Sequence, residues 1–227
     1  MRAFIIGNGP SLNPSDLDLL VEEECFAMNR INLIFDKTIW RPTHYVRAET
    51  PSVRWKKDDI REDLRRIVGL AGTKCYLRST YKVHWDNLRA ELDRVRPSTV
   101  EYFNRCKHAG LHFDDKDAPK EWHLPEICTF GTSLHTAIQI AVLEGFTRLY
   151  LLGCDMGYED GVPNHFDPHY EKGFERHYQS AKYANGDALE CHRIAQRSSS
   201  VRIFDCTPRK GRRDYIHKNI ELEKVIR

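Results

Sequence analysis

Short apolar runs alternate with helical spacings along the first half of the chain. Ala3 to Ile6, Cys25 to Met28, Tyr45 to Ala48 and Cys75 to Leu77 read as strands. Between them, Leu17, Leu19, Leu20 and Val21 follow Asn13-Pro14-Ser15 and predict a short helix. Ile60, Leu64, Ile67 and Val68 recur at helical spacing after the charged start Lys56-Lys57-Asp58-Asp59. Strands that alternate with helices predict a parallel sheet. From about Val83 to Lys120 the pattern fades: Leu88, Leu92 and Val95 predict a helix, and the rest, rich in His, Asp and Lys, reads as a long peripheral connection.

The strand-helix alternation returns at Thr129-Phe130-Gly131-Thr132-Ser133, ahead of a helix carrying Ala137, Ile138, Ile140, Ala141 and Leu143 and closed by Gly145. Arg148 to Asp155 follows as a strand apolar on both faces, the signature of a central parallel strand, which delivers Asp155 to its carboxyl end. Residues from Met156 to Asn185 mix Tyr, His, Gly and Pro without periodicity, so about 156–187 is expected to form a lid over that end. A helix around Ala188 to Gln196, a strand Val201 to Phe204, a turn at Thr207-Pro208 and a short helix Ile220 to Ile226 complete the chain. The expectation is one Rossmann-like α/β domain over 1–227, with a mostly parallel sheet, helices on both faces and a lid over the carboxyl ends of the strands.

Composition narrows the partners. The 227 residues include 35 Lys plus Arg against 33 Asp plus Glu, a formal net charge of +2, so nucleic acid is not an expected partner. At 41% hydrophobic residues the chain has the material for a folded core. No apolar run approaches the roughly 20 residues that cross a bilayer, and the start, Met1-Arg2-Ala3-Phe4-Ile5-Ile6-Gly7, lacks the pattern of a signal peptide, which predicts a cytoplasmic protein. The seven cysteines are scattered and never spaced Cys-x-x-Cys, which predicts reduced, partly buried thiols. Arg209-Lys210-Gly211-Arg212-Arg213 offers a small basic patch, either a solvated loop balanced by Asp205 and Asp214 or a contact for a membrane surface or charged acceptor. The oligomeric state stays open.

Candidate chemistry gathers at the strand ends. Gly7-Asn8-Gly9-Pro10-Ser11 is a turn in which glycines let backbone amides approach a ligand, while Asn8 and Ser11 add side-chain hydrogen bonds. It is neither a P-loop nor a Rossmann fingerprint, since Gly7-x-Gly9-x-x-Leu12 lacks the last glycine. Asp155 reads as a ribose or metal-phosphate contact or as a cap of the following turn. With His165, Asp167 and His169 it forms a nitrogen and oxygen set suited to a cation, although Pro168 precludes a regular helix there. His108 and His112 are four apart, but Gly110 between them favours a surface reading. Arg47 and Glu49 face the crevice in one reading; in the other Trp40 and Tyr45 pack beneath a loop and Glu49 pairs with a base.

Taken together, Ile5-Ile6-Gly7-Asn8-Gly9-Pro10-Ser11-Leu12, Ala27-Met28-Asn29-Arg30 and Gly131-Thr132-Ser133 through Gly145-Phe146 to Leu149-Tyr150-Leu151, Gly153 and Asp155 resemble the bacterial sialyltransferases of glycosyltransferase family 42. The same skeleton is similar to a broader group that includes archaeal 6-hydroxymethylpterin diphosphokinases and sugar transferases acting on flagellins. The resemblance is strong over the first 30 residues and 129–158, and weak over 53–125 and beyond 160. It implies that Asn8 and Asn29 lie near the donor's phosphate and ribose, and that Thr132 and Ser133 meet the cytidine. It further implies catalysis without a bound metal, Tyr158 and Tyr170 receiving the departing phosphate, and a lid histidine as base, with His177 the first choice and His165 the second.

The reading is therefore a metal-independent glycosyltransferase moving a sugar from a CMP-activated, sialic-acid-like donor to a hydroxyl of a glycan or other acceptor. One alternative is a Mg²⁺-dependent diphosphokinase acting on a pterin-like alcohol with ATP, with Asp155 and Asp167 as metal ligands. The other is a non-catalytic nucleotide-binding module.

Overall fold

The protein is described here by a computed structural model, which covers residues 1–48, 57–68, 70–82, 99–105, 126–127, 132–155, 162–170, 201–208 and 217–226. Its strands are β1 (Arg2–Ile6), β2 (Cys25–Met28), β3 (His44–Arg47), β4 (Lys74–Arg78), β5 (Val100–Arg105), β6 (Glu126–Ile127), β7 (Arg148–Leu152), β8 (Arg202–Asp205) and β9 (Lys218–Asn219). The α-helices are α1 (Pro14–Asp18), α2 (Lys57–Val68) and α3 (Ser133–Leu143). Among the described residues the strands form one sheet in the order β6-β5-β4-β3-β2-β1-β7-β8-β9, and every neighbouring pair is parallel.

This order fixes where a ligand fits. The chain leaves β1 toward β2 on one side, and the later strands build outward from β7 on the other. Connections that depart in opposite directions from two adjacent strands leave a crevice outside their carboxyl ends. Here that crevice opens above β1 and β7, which pair from Arg2 with Arg148 to Ile6 with Leu152.

Period-two alternation sends each central strand to two cores. Leu17 and Leu20 at α1 and Leu64 and Ile67 of α2 pack with Phe4, Ile6, Tyr45 and Leu77 on one face of the sheet. Ala137, Ile138, Ile140 and Ala141 of α3 pack with Ile5, Phe26, Val46 and Leu149 on the other. Strand β7 splits the same way, Tyr150 and Leu152 to the first core and Leu149 and Leu151 to the second. Full burial of each such side chain contributes about 1.5–3 kcal/mol, so these strands have an apolar reason to sit at the centre. The α/β architecture with helices on both faces agrees with the sequence pattern.

Five segments differ from that pattern. Residues 100–105, read as part of a peripheral connection, pair with β4 as β5; Phe103 alone of the alternating Val100, Tyr102 and Phe103 is fully buried, which weakens the apolar signal. Strands β6 and β9 are two residues each, too short to carry a period. Ile31–Lys37 is a 3-10 turn, and the helix expected over Ile220 to Ile226 is a 3-10 turn at Leu222–Lys224. The helices expected near Leu88 to Val95 and at Ala188 to Gln196 lie outside the described residues.

No helix among the described residues is long and apolar enough to cross a membrane. Cys25, Cys154 and Cys206 are free thiols, and these three and Cys75 are buried. The basic run at 209–213 lies outside the described residues.

Candidate functional site

Gly7 and Gly9 are needed because the two turns above β1 and β7 touch. The Gly7 N–H donates to Leu152 O and the Gly9 N–H to Gly153 O, each at 2.8 Å. A Cβ on Gly7 would lie 2.4 Å from Gly153 O, and one on Gly9 would lie 2.0 Å from Asp155 Oδ2. Only glycine permits that approach. Asp155, 8% exposed, completes the turn: its Oδ2 accepts from the Ser11 hydroxyl at 2.6 Å and the Ser11 N–H at 3.1 Å. Of the roles open to Asp155, the structure shows it holding the Gly7 to Ser11 turn in place. Pro10 is exposed at the tip.

Asn8 sits just beyond the carboxyl end of β1, 9% exposed, with its Nδ2 donating to Met28 O at 3.1 Å. A carbonyl only accepts, so the amide's orientation is set and Oδ1 must face the other way. That Oδ1 is buried and has no hydrogen-bond partner among the described residues. Leaving a buried acceptor unmet costs about 1–3 kcal/mol; Asn32 Oδ1 and Thr136 Oγ1 are in the same condition among the described residues.

Asn29 follows β2 with φ of 52°, the one left-handed non-glycine among the described residues. Asparagine tolerates this region better than most residues, yet the conformation persists only when neighbours impose it. Its N–H donates to Val46 O at 3.2 Å, its carbonyl accepts from Tyr45 OH at 2.6 Å, and its Oδ1 accepts from Ser133 Oγ at 3.1 Å. Burial raises the Tyr45 pKa, so the hydroxyl stays protonated as a donor. Ser133 begins α3, and Thr132 caps it by accepting from the Leu134 N–H at 3.1 Å. The start of α3, Asn29, Asn8 and the glycine turn are thus linked at one end of the sheet. Asn8, Ser11, Asn29, Thr132, Ser133 and Asp155, chosen from sequence, are brought together.

Residues 162–170 cross this end. The Phe166 N–H donates to Asn8 O at 3.1 Å, and His165 Nδ1 lies 3.3 Å from the same carbonyl. Because that oxygen can only accept, Nδ1 carries the hydrogen and the neutral ring's lone pair is on Nε2. The Tyr170 ring, buried, stacks on the imidazole at 3.8 Å, which gives Tyr170 a packing role beside His165. Tyr158, His177 and most of 156–187 lie outside the described residues.

Asp167 is turned inward. Its Oδ1 accepts from the His169 N–H at 2.8 Å and its Oδ2 pairs with Lys37 at 3.2 Å. Burial opposes the charge, but those two partners outweigh it and hold the carboxyl below its usual range. Among the described residues no three His, Cys, Asp or Glu side chains converge on one point; His108 and His112 lie outside them. Cys154 is packed against Gly7, and burial, then Asp205 and Asp155, push its thiol well up, which makes it inert.

Sequence reasoning missed the support beneath the site. Arg47, weighed as a crevice contact, is fully buried and donates through Nε to Tyr81 OH at 3.1 Å. Asp63 of α2 bonds Arg30 Nε and Asn32 Nδ2, each at 3.0 Å. In the sequence Asp63 is one acid within a charged helix, with no signal to separate it. Trp40 and Tyr45 are fully buried, as the packing reading expected; Glu49 lies outside the described residues.

The chain matches no protein-family model, and the searches of curated proteins and of solved structures give no match either.

Proposed function

We propose that the crevice above β1 and β7 binds a nucleotide and that the chain is a metal-independent glycosyltransferase using a CMP-activated, sialic-acid-like donor. The observation that carries the nucleotide reading is the buried, unmet Asn8 Oδ1. As an acceptor it repels phosphate oxygens and suits a hydroxyl or amino group, so it fits the ribose or base side of a nucleotide. Asn29 and the start of α3 border the same place, where backbone N–H groups favour a phosphate. Specificity for cytidine and sugar rests on the resemblance noted from the motifs.

In this reading the bond between the sugar's anomeric carbon and the phosphate oxygen breaks, and its electron pair leaves with the CMP. The acceptor hydroxyl forms the new bond to that carbon, and its proton passes to His165 Nε2. Such a base contributes typically 10²- to 10⁴-fold. His177, the sequence's first choice, lies outside the described residues; His165 is favoured here because Asn8 O presets its tautomer. The acceptor is a hydroxyl of a glycan or similar molecule.

Thermal shift with CMP, CDP, UDP, GDP and ATP, each with Mg²⁺ and with EDTA, tests this. Ligand at 100 times its Kd adds about 2.7 kcal/mol of stability. The expected result is stabilisation by CMP or CDP that survives EDTA and disappears in Asn29→Ala. Stabilisation by ATP only with Mg²⁺ replaces the reading with the diphosphokinase, and binding with no turnover of any CMP-sugar replaces it with a nucleotide-binding module.

A further inference from the structure

Beneath the strand ends a circuit of hydrogen bonds and one ion pair runs from Arg30 back to its chain neighbour Asn29. Arg30, next in chain to Asn29, donates Nε to Asp63 Oδ2 at 3.0 Å. The same oxygen lies 3.7 Å from Arg47 Nη1, which reaches Tyr45 OH at 3.4 Å. Tyr45 OH then donates to Asn29 O at 2.6 Å. Arg30 also has a second set of bonds outside this circuit: its Nη1 donates to Tyr170 O at 2.6 Å and His169 O at 3.3 Å. One buried carboxylate, Asp63, therefore orients two buried guanidinium groups, one tied to the left-handed Asn29 and the other to the segment that carries His165.

We propose that Asp63 and Arg30 are positioning residues that couple the backbone of Asn29 to the placement of 165–170, so that the nucleotide-binding and base-bearing parts of the site are set together. The link to binding rests on the nucleotide reading above; the mechanical coupling does not. Asp63 and Arg30 need touch no ligand. The physical basis is geometric: a planar guanidinium donates in fixed directions, so fixing Nε on Asp63 also fixes where Nη1 can meet the Tyr170 carbonyl. The αL backbone at Asn29 needs such outside support, and Tyr45 OH supplies it from the other end of the circuit.

Hydrogen exchange on the full chain tests the coupling through peptides covering 27–33 and 163–170. Wild type is compared with Asp63→Asn, which keeps shape and removes charge, and with Tyr45→Phe, which removes one hydroxyl. Asp63→Asn is expected to speed exchange at least tenfold in both peptides while β1 and β7 keep their rates. Tyr45→Phe is expected to act on 27–33 alone. Should Asp63→Asn not fold, Arg30→Lys takes its place with the same expectation. Unchanged exchange in either peptide, or a uniform rise that includes β1 and β7, overturns the proposal. CMP affinity measured on the same samples, at a temperature where both remain folded, is expected to fall at least tenfold in the Asp63 variant. Wild type that binds no CMP refutes the nucleotide reading alone, with exchange still deciding the circuit; equal CMP binding by both refutes the link to binding.

Discussion

At the amino ends of the strands, Lys74 of β4 meets Glu144 at 2.8 Å and Glu101 at 3.0 Å, and Tyr76 donates to the same Glu144 beside His44, which lies 3.5 Å from Glu24. These polar groups answer one another and remain partly exposed. At the carboxyl ends Asn8, Ser11 and Asp155 are buried, one non-glycine backbone is left-handed, two turns touch through glycine, and Asn8 Oδ1 has no partner among the described residues. The same sheet thus carries an end rich in paired charges and an end that holds backbone strain and an unmet amide acceptor. Strain of this kind clusters at functional sites, which is why the proposed site is placed at the carboxyl end.

The largest effect expected on that contrast comes from Gly7→Ala. Its Cβ would meet a backbone carbonyl at 2.4 Å, which no side-chain rotation relieves. A loss of more than about 3 kcal/mol follows, read as a melting temperature lower by roughly 6 °C or more. A soluble variant melting like wild type breaks the picture of a turn that needs glycine.

Acid is expected to weaken both ends. Burial lowers the pKa of His135 to about 3 and of His217 to about 4. The unfolded chain takes up these protons first, so the stability they contribute is full above about pH 6.5 and falls as pH drops toward the lowered values. Each contributes a slope of up to about 1.4 kcal/mol per pH unit. Glu144 adds to the loss only below its ordinary value of 4.5: burial works against its charge, but Lys74 and Tyr76 outweigh burial and lower its pKa. Chemical denaturation from pH 7 to pH 5 checks this, and a flat profile contradicts it; His135→Phe is expected to reduce the slope.

Asp155→Ala removes the acceptor of two buried Ser11 donors. Hydrogen bonds to a charged group contribute about 1.5–3 kcal/mol, so unfolding at about 2 kcal/mol less and a loosened glycine turn are expected. Full stability with lost ligand binding would instead make Asp155 a ligand contact.

The smallest change in stability sharpens the comparison most. Asn8→Ala loses the bond to Met28 O but also the unmet Oδ1, and the two roughly cancel, so the fold is expected to hold within about 1 kcal/mol. CMP binding is expected to fall about tenfold or more. Glu144→Gln is expected to do the reverse, costing about 1 kcal/mol through its part-buried pair while CMP binding stays. Equal effects of the two variants on binding would erase the distinction between the ends.

Much of this was legible in the chain itself. The apolar runs at 3–6, 25–28 and 149–152 and the helix after Thr132 carry the parallel core, because a strand buried on both faces must be apolar at every position. Glycine at 7 and 9 and acid at 155 mark the turn, since only certain residue types tolerate close backbone approach. Strand β5 hides because its half-buried residues blur the period, and β6 and β9 because two residues have none.

The pairing of functions across the sheet had no local trace. That Asp63 on α2 holds Arg30 after β2 and Arg47 on β3, that Tyr45 steadies Asn29, and that Asn8 O fixes the tautomer of His165 all depend on contacts between residues 16 to 157 positions apart. Local sequence sets propensity and burial pattern, which are properties of neighbours in the chain. The direction of a hydrogen bond, and which buried atom is left without one, are set only when distant segments are fixed against each other by packing.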